Sequence, residues 1–196
     1  MKNVQTTMAA AAILTVAGAQ AQSNWTIDAS HSKVQFTVTH LMISEVTGKF
    51  KVYEGKVVAT KDDFSDSQIE FSADVNSINT DDEGRDKHLK SDDFFNAEKY
   101  PKMTFKSKSF KKVSGKNYKL IGDLTIRDIT KSVEFDVVYN GSIKDPWGNT
   151  KAGFKLIGVI NRIDYGLKWN AAVEAGGVVV SEKVNITCDI ELGKQK

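Results

Sequence analysis

Apolar residues recur at every second position along most of this chain, and that period of two constrains the fold more than any other feature. Val34, Phe36 and Val38 alternate with Gln35, Thr37 and Thr39; Ile69, Phe71, Ala73 and Val75 alternate with Gln68, Glu70, Ser72 and Asp74. The pattern returns at Tyr118, Leu120, Gly122, Leu124 and Ile126, then at Val133, Phe135, Val137 and Tyr139. Phe154, Leu156, Gly158 and Ile160 follow, and Val184, Ile186, Cys188, Ile190 and Leu192 close the series. Successive side chains of a strand point to opposite faces, so each set marks a strand with one dry face and one wet face. That is the signature of antiparallel sheet. A doubly wound parallel sheet would need wholly apolar strands separated by amphipathic helices, and those helices are missing.

Turn chemistry separates the strands. Lys112 to Asn117 (KVSGKN) predicts a hairpin, and the Gly and Pro of residues 140–149 (NGSIKDPWGN) predict a longer loop. One helix is predicted around Asp81 to Ser91, with Thr80 and Glu83 at capping-box spacing and three acids, Asp81, Asp82 and Glu83, at its positive end. Phe94 and Phe95 follow it and are too apolar to be left in water; they are expected to cover one end of a core. A β-sandwich and a closed barrel both satisfy the pattern. Gly122 and Gly158 tilt the choice toward a barrel, because a glycine on the apolar side of a strand either bends it or leaves room for something that is not protein.

The first residues predict export. Lys2 precedes an apolar run of 12 residues, Met8 to Ala19, and Ala19-Gln20-Ala21 has the small-x-small form of a signal-peptidase site. A membrane-spanning helix needs about 20 apolar residues, so the run predicts a signal peptide at 1–21 and a periplasmic domain at 22–196. The one Cys, Cys188, lies far from the cleavage site, which implies neither a lipid anchor nor an internal disulfide. The net charge of +2 is spread over interleaved acids and bases, which argues against nucleic-acid binding.

No catalytic constellation emerges. His31, His40 and His88 lack metal-site spacing, and the chain has no nucleophile elbow, P-loop or dinucleotide fingerprint. The residues therefore predict no enzyme, no metal and no required cofactor. Cys188 shares the parity of its apolar neighbours and reads as a buried thiol. Of 27 basic residues all but three are Lys. The exceptions, Arg85, Arg127 and Arg162, each precede an acid by one or two positions: Asp86, Asp128 and Asp164. Arginine's planar fork suits either a structural clamp on such a carboxylate or the polar head of a ligand.

Several ordered motifs run through the chain: WTIDASHSKVQF (Trp25 to Phe36), His40, VTGKF (Val46 to Phe50), RDKHLKSDDFF (Arg85 to Phe95), YPKMTF (Tyr100 to Phe105), GDLTIRDITK (Gly122 to Lys131) and NRIDYG (Asn161 to Gly166). Taken together, they resemble the YceI-like family of exported polyisoprenoid-binding proteins. The resemblance implies an all-β fold: an extended eight-stranded antiparallel lipocalin-like barrel, with one short helix over or near an end. It also implies binding, storage or transport of a long-chain amphiphile, such as a polyisoprenoid, an isoprenoid quinone or another long-chain lipid, without catalysis. Inward parity then marks Phe36, Val38, Phe71, Leu120, Leu124, Phe135, Phe154, Leu156, Ile186 and Cys188 as channel residues. Arg85, His88, Arg127 and Arg162 are the candidates for the head group or mouth. A homodimer and a transient membrane contact stay open as further partners. The competing readings are an enzyme acting on a lipid held in the channel and a filled barrel that binds protein. One departure stands out: Asp128 occupies a position where the family commonly has Gly, which matters if that backbone needs a positive φ.

Overall fold

The computed structural model describes residues 22–173 and 176–196; the predicted signal segment lies outside them. In chain order the elements are β1 (Ser23–Ile27), β2 (Lys33–His40), β3 (Ser44–Phe50), β4 (Tyr53–Ala59), β5 (Gln68–Asp74) and β6 (Ile78–Asn79). Helix α1 (Glu83–Lys90) comes next, followed by β7 (Lys102–Ser114), β8 (Asn117–Ile126), β9 (Ile129–Lys144), β10 (Thr150–Asn161) and β11 (Lys183–Lys194). Neighbouring strands pair antiparallel throughout.

The choice between sandwich and barrel is decided by β1. It pairs with β4 on one edge and with the end of β11 on the other, closing a ring of eight strands: β1, β4, β5, β7, β8, β9, β10 and β11. β11 divides its free edge between two partners. Leu192 and Lys194 face Ile27 and Trp25 of β1, whereas Asn185 to Asp189 pair with Thr37 to Lys33 of β2. The ribbon of β2, β3 and β6 therefore splays outward and extends the barrel at one end only.

Three local expectations need correction. The predicted 140–149 loop shrinks to a turn at 145–149, because β9 continues to Lys144 and a register shift between Gly153 and Phe154 absorbs the irregularity. Within the turn, Asp145 accepts from the Trp147 and Asn149 amides at 2.9 and 2.8 Å. The helix is capped by Asp82, which accepts from the Arg85 amide at 2.7 Å, and not by a Thr80–Glu83 box. Thr80 instead donates its amide and hydroxyl to the buried Asp86, at 2.8 and 2.6 Å. Finally, the room beside Gly122 and Gly158 is taken by protein. A Cβ at either position would collide with the ring of Phe105 or Phe135, and one at Gly48 with that of Phe36. Aromatic rings lie over backbone that only glycine leaves bare.

The departure at Asp128 costs little. Arg127 and Asp128 form a two-residue turn between Ile126 and Ile129, and the left-handed position is Arg127, at φ 58°. Asp128 accepts from the Tyr100 hydroxyl at 2.9 Å.

The end of the barrel away from α1 is plugged. Phe64, in the connection between β4 and β5, is 2% exposed. Its ring meets Trp25, Phe154 and Tyr139 at centroid distances of 5.0, 5.1 and 5.5 Å. The Tyr118 hydroxyl donates to the Asp63 carbonyl at 2.6 Å, tying that connection to β8. Burying such a ring contributes roughly 1.5–3 kcal/mol, so Phe64→Ala would both destabilise the barrel and open its floor.

Candidate ligand channel

Two chambers occupy the interior. The deep one, about 160 Å³, lies between the eight barrel strands above the aromatic plug. The mouth chamber, about 380 Å³, lies where β2 and β3 splay, bounded by α1, Phe94, Phe95, Leu167, Trp169, Val179 and Val180. Val34, Met103 and Ile186 line both and form a waist between them. The parity of β11 runs through the whole length: Val184 and Ile186 face the mouth chamber, and Ile186, Cys188, Ile190 and Leu192 face the deep one.

All ten channel candidates line this interior. Phe36 and Val38 face the mouth chamber and Ile186 faces both. Phe71, Leu120, Leu124, Phe135, Phe154, Leu156 and Cys188 face the deep chamber. Burial pushes the Cys188 thiol up to about 12, so it stays protonated and behaves as a small apolar group.

The four mouth candidates separate. Arg85 and His88, one turn apart on α1, both line the mouth chamber. Arg85 donates from Nε and Nη2 to the hydroxyl and carbonyl of Thr80, each at 2.8 Å. The His88 ring stands edge-on to Phe94 and Trp169, and its Nε2 lies 2.9 Å from an Asp93 carboxylate oxygen. Arg162 also lines the chamber and is 3% exposed. Its guanidinium donates to the carbonyls of Ser181, Trp169 and Val180, at 2.9, 2.9 and 3.2 Å, and to that of Leu167. Arg127 is not part of the lining: it braces the chain behind the chamber, on the carbonyls of Phe94 and Gly166 and the carboxylate of Asp92. The pairing of each arginine with its following acid does not occur: Asp86 is held by Thr80 and Asp128 by Tyr100. The arginines mostly hold main-chain carbonyls.

This gives the mouth chamber a one-sided charge. Two guanidiniums, Arg85 and Arg162, line it beside the imidazoles of His40 and His88, and among the described residues no Asp or Glu does. Burial pushes the Arg162 pKa below its ordinary value, yet a guanidinium remains charged. Its partners are carbonyl dipoles, which satisfy its donors without cancelling its charge. The chamber therefore favours an electron-rich oxygen and disfavours a cation.

Sequence reasoning missed Gln35, His40, Trp169, Val179 and Val180 in the lining. Gln35 falls outside the apolar parity of β2, His40 shares that parity but is polar, and the sequence around Trp169, Val179 and Val180 carries no period to read. Another cluster outside the channel, Asp28, His31 and Glu191, brings three potential metal ligands within 4.8 Å. The Lys151 ammonium already lies among them, 2.6 Å from Asp28 and 3.1 Å from Glu191, so the geometry is that of an ion-pair network.

A family model described as the YceI-like domain matches residues 25–192. The chain belongs to the YceI-like family. Among relatives of this YceI-like chain, UPF0312 protein SA2479 of Staphylococcus aureus is 39% identical over 170 residues, covering 86% of this chain and 96% of its own. The YCEI protein of Campylobacter jejuni superposes with a TM-score of 0.70 at 32% identity, covering 81% of this chain and 90% of that one. A polyisoprenoid binding domain from Saccharophagus degradans shares the fold at 16% identity, with a TM-score of 0.61 over 86% of this chain and 97% of that one.

Proposed function

We propose that this YceI-like protein binds one long-chain amphiphile, a polyisoprenoid or isoprenoid quinone, and stores or carries it in the periplasm once residues 1–21 are removed. The observation that carries this reading is the division of the interior into an apolar deep chamber and a mouth chamber lined by cations without acids. The tail would occupy the deep chamber and pass the waist, with the head beside Arg85 and His88. A dry apolar cavity of about 150 Å³ holds a benzene ring, so the deep chamber suits about one five-carbon isoprene unit. Each buried methylene contributes up to about 0.8 kcal/mol, which holds a tail without selecting it closely. A long chain would fill both chambers and protrude from the mouth.

The polyisoprenoid named for the Saccharophagus degradans domain agrees with this chemistry. A filled barrel serving only as a protein-binding surface is a poorer account of two chambers of this size. Cys188 makes a poor nucleophile for an enzyme using this channel, since burial holds its thiol protonated. The reading requires no cofactor.

Arg85→Met tests the head-group assignment. It should weaken binding of an isoprenoid quinone or prenyl phosphate by roughly 1.5–3 kcal/mol while leaving a head-less hydrocarbon of equal length nearly unaffected. Equal losses for both ligands would make Arg85 a structural residue and remove the head from the mouth.

A further inference from the structure

The turn between β2 and β3 is built against its own backbone preference. Leu41 and Met42 both hold left-handed φ, 50° and 64°, and the Ile43 amide donates to the His40 carbonyl at 3.1 Å. A turn with two left-handed central residues is the one that Asn-Gly adopts without strain, and bulky side chains there are uncommon. Strain of this kind persists where the rest of the structure holds it, and it is most frequent at functional positions. Here the Leu41 amide donates to the Val179 carbonyl at 2.8 Å, and Met42 lies against Gly177.

What the strained turn presents is apolar. Leu41, Met42 and Ile43 are 38%, 61% and 85% exposed, a run of three large hydrophobic residues at a hairpin tip. The tip continues the wall of the mouth chamber: Val38 and His40, just before it, and Val179, hydrogen-bonded to it, all line that chamber. Three side chains fall far short of the roughly 800 Å² per partner that a stable protein interface buries. They are sufficient for shallow insertion at a bilayer surface, where apolar groups enter only about 5–10 Å. A tail that is insoluble in water also needs a route between barrel and membrane that does not cross solvent.

The geometry points to Leu41, Met42 and Ile43 as a membrane-docking tip that sets the mouth of the barrel against the surface of a phospholipid bilayer. This rests on the proposed lipid-binding role. The tip itself has no Lys or Arg, so docking is apolar and does not depend on anionic lipid.

The test uses protein purified from its native host and vesicles of pure phosphatidylcholine, with a second set carrying three parts in ten of phosphatidylglycerol. Wild type should float with both sets to a similar extent. Ile43→Ser, and separately Leu41→Asn with Met42→Gly, should each weaken vesicle partitioning about tenfold or more, since each removes exposed apolar area. The double variant should melt at the same temperature as wild type or higher, because Asn-Gly relieves the turn; that excludes misfolding as the cause. A short-chain quinone added from solution reads the cavity alone and should bind all three proteins equally. Equal flotation of all three proteins, or none by wild type, overturns the docking tip. So does a wild-type dimer that Ile43→Ser dissociates, which would assign the tip to a second copy. Vesicle docking without short-chain quinone binding would overturn the cavity reading and leave the docking tip standing.

Discussion

Cys188→Phe should convert the barrel into a receptor for short chains. Cys188 faces the deep chamber, about 160 Å³, from the middle of β11, while the mouth chamber lies beyond the waist at Ile186. A phenyl ring projecting from position 188 would take up the space assigned to the innermost isoprene unit. That unit has five carbons at up to about 0.8 kcal/mol each, so roughly 4 kcal/mol of apolar transfer is lost, or about a thousandfold in Kd. This is an upper bound, because a displaced tail recovers some contact at the mouth. A quinone with a single isoprene unit, seated in the mouth chamber, should lose less than about threefold in affinity. Overpacking costs roughly 1–3 kcal/mol in a filled core and less beside a void, so the variant should fold. The assay is titration calorimetry with quinones of increasing chain length, beside thermal denaturation of each protein and a Cys188→Ala control. In wild type affinity should climb with chain length and then level off; in Cys188→Phe it should level off about one unit earlier. If long and short chains lose affinity equally, or the dependence on length is unchanged, the tail does not enter the deep chamber.

Other outcomes follow from the same geometry. Arg162→Met strips the guanidinium donor from the carbonyls of Ser181, Leu167 and Trp169, while that of Val180 keeps the Asn170 amide, and should cost about 3 kcal/mol or more, a fall in Tm of roughly 6–12 °C by thermal denaturation. Arg162→Lys should recover only part of this, since an ammonium lacks the planar fork. The Asp28 carboxyl is held well below the usual range, chiefly by a hydrogen bond from Lys151 and then by one from Ser30. Its folded pKa is thus lower than its unfolded value of about 3.9, so its stabilisation is complete above that pH and is lost as pH falls toward the folded value. Urea denaturation from pH 7 to pH 2.5 should therefore show the gap between wild type and Asp28→Asn closing in acid. The Cys188 thiol, pushed up to about 12, should react with a thiol reagent at neutral pH far more slowly in the native protein than after unfolding. Rapid labelling of folded protein would place it outside the channel.

The legible part of the fold was the part with an unbroken period. β8, β10 and β11 alternate cleanly, and every even-numbered residue from Val184 to Leu192 faces a chamber. β7 was hidden because a register shift between Ser107 and Ser109 moves its inward residues from Phe105 to Phe110, reversing parity within one strand. β1, with five residues, is too short to show a period, although its double pairing closes the barrel. In the site, the apolar candidates followed from parity alone. The mouth did not, because it is assembled from α1, one edge of the ribbon and the pairs Leu167 with Trp169 and Val179 with Val180, which meet only in three dimensions. The scarcity of arginine did flag a structural theme, but proximity in sequence gave the wrong partners. Arg162 reaches carbonyls up to 19 residues away, and Arg127 reaches Asp92 across 35.

The central claim, that the barrel carries a long-chain amphiphile with its head at the cationic mouth, is tested most directly by native mass spectrometry of protein purified from its own host, followed by lipid extraction. The account predicts one bound molecule per chain, with a prenyl tail and an oxygen-bearing head such as a quinone or a phosphate. Protein that is ligand-free throughout, or that carries an amine-headed or wholly polar molecule, would contradict it.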